Sequence, residues 1–167
     1  MLDAPGEGQA LMDELHELVM VEALAPVALR PGALELVRAL SAAGVALAIA
    51  SNSPRVFLDR VLASADLEAL GVTWVTTIAG DEVEQPKPAP DIYLEACVRL
   101  DASPPECVAL EDSATGVAAA RAAGMVVIGV PYFPDGALPE ADLVAPSLAD
   151  SGVYAALGLP VQVISAR

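Results

Sequence analysis

Three short polar clusters carry the chemistry this sequence can offer. They are Ser51-Asn52-Ser53, the stretch Gln85–Asp91 with Lys87 at its centre, and Glu111-Asp112-Ser113. Lys87 is the only lysine of the chain and Asn52 its only asparagine. A lysine ammonium is a compact charge with three rotatable donors, whereas arginine is a planar fork. A crowded site that needs one movable charge on a phosphoryl oxygen therefore favours lysine. The Ser51 hydroxyl can donate to such an oxygen, and the backbone N–H groups around Asn52 and Ser53, at a helix start, add donors and a favourable dipole. Arg55 follows closely and extends this set of candidate phosphate-binding residues. Asp112, supported by Glu111, can hold a hard cation such as Mg²⁺, which takes few carboxylates and completes its shell with water and substrate. Phosphoryl transfer asks a protein mainly for such positioning and electrostatics. Singly, each cluster has a plainer reading: Ser51 as a helix cap, Lys87 as a solvated loop charge, Glu111-Asp112 as dipole compensation at a helix start.

The elements that must position these residues follow from two alternating periodicities. Leu11, Met12, Leu15, Leu18 and Val19 recur at helical spacing, and Pro31 opens a helix with Leu36, Val37 and Leu40 on one face and Gly44 as its stop. Val45–Ala50 is a short apolar run of the kind that forms a buried parallel strand. Phe57, Leu58, Val61 and Leu62 mark a helix, Val72–Ile78 a strand, and Tyr93, Leu94, Cys97 and Val98 another helical face. Cys107–Leu110 and Met125–Val130 read as strands around a helix at Ser113–Ala123. Asp142–Val144 reads as a weak last strand and Leu148–Leu157 as a last helix. Strands alternating with helices imply a Rossmann-like parallel sheet covered on both faces, an α/β fold. In such sheets ligands bind beyond the carboxyl ends of the strands, where all three clusters fall. Residues 31–159 form this core; residues 1–30 precede it as a helical appendage and 160–167 follow as a tail.

With the clusters placed, the stretches Leu47–Ser53, Lys87–Tyr93 and Val108–Val117 resemble motifs II, III and IV of the haloacid dehalogenase (HAD) superfamily, in the branch of β-phosphoglucomutase and small-metabolite phosphatases. The resemblance implies that Ser51 is the phosphate-binding hydroxyl, Lys87 the motif III lysine, and Asp112 the Mg²⁺ ligand with Glu111 beside it. It also implies that the helix Leu11–Leu24 is the remnant of a helical cap. Members of this superfamily begin with an apolar strand ending in Asp-x-Asp-Gly, whose first aspartate forms an aspartyl-phosphate. Leu2-Asp3-Ala4-Pro5-Gly6 does not match it, since Pro5 stands where the second aspartate belongs. The resemblance therefore predicts a sheet whose central first strand, between the motif II and motif IV strands, is missing. Such a gap removes several buried aliphatic side chains, each about 1.5–3 kcal/mol, against a domain stability of about 5–15 kcal/mol. The expectation is instability, self-association through unpaired sheet edges, or recruitment of a strand; Val161–Ser165, which alternates like one, is a candidate filler.

The bulk numbers narrow the function classes. The net charge of −15 at pH 7 opposes nucleic acid and anionic membranes as partners, and any phosphate site must work through local cations. No apolar run reaches membrane-spanning length, and two cysteines without metal or nucleophile spacing suit a reduced, cytoplasmic protein. His16 reads as solvated and Trp74 as core. The leading expectation is a Mg²⁺-dependent phosphohydrolase acting on a small phosphorylated metabolite, without its nucleophile segment and so inactive as this chain. The alternative is a non-catalytic relative that binds phosphate-bearing ligands or a partner. A phosphomutase of this branch would carry a basic residue directly after the motif II serines, where Pro54 stands. A phosphoacceptor receiver domain would have its acidic pair first and its lysine last.

Overall fold

Val127 and Ile128 are neighbours in one strand, yet they are buried in two different cores, as a parallel sheet covered on both faces requires. The computed structural model of the chain describes residues 28–65, 71, 74, 76–133 and 135–160. Their element order is α1 (Ala33–Ala42), β1 (Ala48–Ser51), α2 (Arg55–Ser64), β2 (Thr76–Ala79), α3 (Asp91–Arg99), β3 (Val108–Glu111), α4 (Ala114–Ala122), β4 (Val126–Gly129), β5 (Leu143–Val144) and α5 (Ser151–Ala156). The expected α/β alternation is present. The expected helix Leu11–Leu24, His16 and the tail Val161–Ser165 lie outside the described residues.

Every described strand pairing is parallel, and the sheet comes in two parts. β1 pairs with β2, with Ser51 opposite Ala79. β3 pairs with β4, with Glu111 opposite Gly129, and β4 with β5. Among the described residues nothing pairs with the second edge of β1 or of β3. Between these edges runs a slot of about 650 Å³ lined by Leu47, Ile49, Val108, Leu110 and other apolar residues. Among the described residues the sheet is thus divided at the place where the resemblance puts the family's first strand. Val108 and Leu110 are each 38% exposed, in a fold whose β4 residues Val127 and Ile128 are fully covered.

One face is closed by α3 and α4, which bring Ile92, Ala96, Val117 and Ala120 onto Ile78, Ala109 and Val127. The other is closed by α1 and α5, with Leu36, Leu40, Val153 and Tyr154 against Ile128 and Val130. Fully burying such aliphatic side chains contributes about 1.5–3 kcal/mol each. The helical face expected from Tyr93, Leu94, Cys97 and Val98 is rotated: Ile92, Tyr93, Ala96 and Cys97 are buried, and Val98 is 73% exposed. The core expected of Trp74 is the wall of the slot, where its buried indole N–H finds no acceptor among the described residues.

Candidate active site

β1, β2 and β3 each deliver one polar cluster to the same end of the sheet. After β1 the chain turns through Ser51, Asn52 and Ser53 into α2, and the Ser53 N–H donates to the Ser51 hydroxyl oxygen at 3.1 Å. This turn lies tight against the end of β2, since a Cβ on Gly80 would sit 2.3 Å from the Asn52 carbonyl oxygen. The Asn52 side chain donates to the Lys87 carbonyl at 3.1 Å and accepts from the Lys87 N–H at 2.9 Å. A single carboxamide thereby fixes the loop between β2 and α3 to the end of β1.

Lys87 points inward from that loop, its side chain 10% exposed. Its ammonium donates to the Ala50 carbonyl at 3.0 Å, to the Tyr93 hydroxyl oxygen at 3.1 Å and to the Glu111 carboxylate at 2.5 Å. An ammonium has three protons, so all are placed. The Tyr93 hydroxyl donates in turn to Glu111. Burial first, then the negative charge of Glu111, holds the Tyr93 hydroxyl far above its ordinary range, so it stays protonated. α4 can approach this group because residue 116 is glycine: a Cβ there would lie 1.8 Å from Glu111 Oε2. Ser113 caps α4 by accepting from the Gly116 N–H at 3.1 Å.

Asp112 differs from its neighbour. Its side chain is 47% exposed and lies 3.8 Å from the Arg30 guanidinium. Arg30 also donates to the Val130 and Pro131 carbonyls, at 2.9 and 2.8 Å, which fixes it across the end of β4. Arg30, Ser51, Asn52, Lys87, Asp112 and Thr115 are among the residues lining an open cleft of about 510 Å³.

The candidate residues thus separate into three groups. Ser51, Asn52, Ser53, Lys87, Glu111 and Asp112 all line the cleft. Glu111, expected beside the cation, is committed to Lys87 and Tyr93, which leaves Asp112 as the carboxylate open to a metal. Arg55, expected to bind phosphate, is not among the lining residues. Its guanidinium turns over β2, pairs with Glu82 and Asp59, and bonds the Thr77 side chain and carbonyl. The Glu82 bond is the largest influence raising its pKa. Arg30 and Tyr93 were not anticipated as site residues. Among the described residues no three His, Cys, Asp or Glu side chains gather into a metal-holding cluster. One carboxylate facing an open cleft fits Mg²⁺, which uses few protein ligands and takes the rest from water and substrate.

Comparison with known proteins places this geometry. A family model described as haloacid dehalogenase-like hydrolase matches residues 1–124. Protein CbbY of Rhodobacter capsulatus is 37% identical over 162 residues, covering 93% of this chain and 71% of that protein. The crystal structure of CbbY from Rhodobacter sphaeroides in complex with phosphate superposes with a TM-score of 0.74 at 31% identity, covering 89% of this chain and 68% of that one. A mutant of the same protein in complex with xylulose-1,5-bisphosphate gives 0.73 at 31% identity, covering 87% and 65%. The chain therefore spans about two thirds of the length of these relatives.

Proposed function

The chain belongs to the haloacid dehalogenase-like hydrolases, and from that premise we propose that its cleft binds the phosphoryl group of a small phosphorylated metabolite for Mg²⁺-dependent phosphate monoester hydrolysis. The observation that carries this reading is the meeting of Ser51, the buried Lys87 ammonium and the half-exposed Asp112 in one open cleft. The Ser51 hydroxyl and the Asn52 backbone N–H donate to phosphoryl oxygens, while the Ser53 N–H holds the Ser51 oxygen in place. Lys87 supplies fixed positive charge in a partly desolvated place, where charge acts more strongly than in water. Asp112 would hold Mg²⁺, which when bound neutralises charge on the group in transfer. The likeness to a relative solved with xylulose-1,5-bisphosphate supports a sugar phosphate as the substrate class.

The described residues supply recognition and charge, but the attacking carboxylate has to come from elsewhere. Glu111 is held by Lys87 and Tyr93, and Asp112 is assigned to the metal. A non-catalytic phosphate-binding role for this chain is favoured by that same observation, and one pair of measurements separates the two. Inorganic phosphate is titrated calorimetrically with and without Mg²⁺, and hydrolysis of p-nitrophenyl phosphate is followed alongside, with Asp112→Ala and Ser51→Ala as controls. Uncatalysed hydrolysis is slow enough that background is negligible. Mg²⁺-assisted phosphate binding that both controls weaken supports the site. Hydrolysis lost in Asp112→Ala makes this chain a complete enzyme, and binding without hydrolysis makes it a phosphate-binding one. No phosphate binding at all refutes the assignment of the cleft.

A further inference from the structure

The cleft holds two ion pairs of different kinds. Among the described residues, its charged lining residues are Arg30, Lys87, Glu111 and Asp112. Lys87 and Glu111 are hydrogen-bonded at 2.5 Å and nearly covered. Arg30 Nη1 and Asp112 Oδ2 stand 3.8 Å apart, with both side chains partly open to solvent. That separation is within ion-pair reach but longer than a hydrogen bond. Asp112 is therefore faced by a cation without being locked by it.

Backbone contacts, more than two flexible side chains, set this separation. The Val130 and Pro131 carbonyls accept from the two Arg30 Nη groups at 2.9 and 2.8 Å. The same turn donates its Val130 N–H to the Glu111 carbonyl at 2.7 Å and its Tyr132 N–H to the Asp112 carbonyl at 3.2 Å. The Tyr132 ring centroid lies 5.8 Å from the guanidinium carbon. Just after Arg30, Gly32 has a φ of +82° and packs so closely on Ala149 that an added Cβ would lie 2.4 Å from the Ala149 backbone nitrogen. A guanidinium held on this frame has little freedom to withdraw when another cation approaches Asp112.

The consequence is electrostatic. With Arg30 in place, the charges of these four side chains cancel. Mg²⁺ on Asp112 by itself would add two positive charges beside a fixed guanidinium, and like charges at such separations repel even in a well-solvated site. A phosphate dianion gives metal and guanidinium a common counter-ion. Without Arg30 the cleft would be left negative, which favours a lone cation and disfavours an anion.

We propose that Arg30 makes Mg²⁺ binding at Asp112 conditional on an anion in the cleft: it opposes the metal when no anion is bound and shares the anion with it when one is. The inference rests on the assignment of the cleft to Mg²⁺ and phosphate given above. Arg30 is in this sense a positioning residue, acting on the metal through the charge it holds opposite Asp112.

The test is calorimetric titration of Mg²⁺ into the full chain, without and with saturating inorganic phosphate, for the unaltered protein, Arg30→Gln and Arg30→Lys. In the unaltered protein phosphate should tighten Mg²⁺ binding about tenfold, and Mg²⁺ should tighten phosphate binding by the same factor. Arg30→Gln should bind Mg²⁺ alone about tenfold more tightly and phosphate alone more weakly, so that the coupling between the two shrinks. Arg30→Lys, which keeps the charge, should stay close to the unaltered protein. A merely structural arginine would weaken both ligands together on removal, and that result overturns the proposal. So does an Arg30→Lys protein that behaves as Arg30→Gln does. A Mg²⁺ affinity of the unaltered protein that phosphate leaves unchanged overturns it as well, with no variant that has to fold. Phosphate binding whose coupling to Mg²⁺ survives intact in Arg30→Gln overturns this inference alone. Absence of phosphate binding in all three proteins refutes the assignment of the cleft, and the inference falls with it.

Discussion

The carboxamide of Asn52 forms a ring of two hydrogen bonds with the backbone of Lys87, donating to its carbonyl at 3.1 Å and accepting from its N–H at 2.9 Å. The only asparagine thus holds the only lysine. On the proposed reading, Asn52 would act on a bound anion through the place it gives Lys87, and a carboxamide is suited to this because it offers donor and acceptor side by side.

Asn52→Ala should therefore weaken phosphate binding while leaving every charge of the cleft in place. The two bonds are exposed, so the stability loss should be about 1 kcal/mol. Asn52→Asp keeps the acceptor for the Lys87 N–H, loses the donor and adds negative charge, and should bind phosphate more weakly than the alanine variant. Calorimetry with inorganic phosphate and thermal melts of the three proteins check both statements.

Lys87→Met leaves the Glu111 carboxylate buried without its cation, and should cost about 3–5 kcal/mol of stability. The partners are 10% and 6% exposed, so solvent offers little relief. The double variant Lys87→Met with Glu111→Met should be more stable than the additive expectation. Urea denaturation of the four proteins tests this, and strict additivity would contradict the buried pair.

Alkaline pH should destabilise the fold before it unfolds generally. The Cys97 thiol is pushed up from 9.0 to about 11, chiefly by burial and then by the Cys107 thiol beside it. The Tyr93 hydroxyl is raised from 10.0 for the same leading reason. Both are raised in the folded state, so their contributions are fully present below the unfolded values. They are lost as pH rises from about 9 through the folded values. The urea midpoint should fall over that range, less steeply in Tyr93→Phe, and alkylation of Cys97 should stay slow at neutral pH. A flat midpoint across this window would contradict the assignment.

Gly116→Ala would place a methyl group 1.8 Å from Glu111 Oε2 and 2.0 Å from Cδ. The carboxylate or helix α4 must move, at a cost of about 1–3 kcal/mol. Because that carboxylate holds Lys87, phosphate affinity should fall together with the melting midpoint. A variant that melts normally and binds phosphate normally would show that Glu111 has room to spare.

The α/β alternation was legible because each buried strand is a short apolar run and each helix repeats at three and four residues. The cleft was legible because three polar clusters sat at strand ends and because Lys87 and Asn52 occur once each. Arg55 stands away from the cleft for a geometric reason: proximity to Ser51 in sequence does not say on which side of a helix start a long side chain turns, and Glu82 and Thr77 draw it over β2. Glu111 and Asp112 both border the cleft, but the sequence did not show that Glu111 is buried against Lys87 while Asp112 stays half-exposed. Tyr93 was counted as part of an apolar face, which hid its hydroxyl. Arg30 gave no local signal, since its bonds to Val130 and Pro131 cross a hundred residues of chain.

The Lys87 ammonium bonds β1 through Ala50 and β3 through Glu111, so it fastens the two halves of the sheet at the cleft end like a clasp on a book whose spine is α3. All three of its protons are spent on that clasp. An anion that draws the ammonium outward must first release one of them. On the proposed reading, ligand occupancy and the join between the two parts of the sheet are therefore set against each other through a single nitrogen atom.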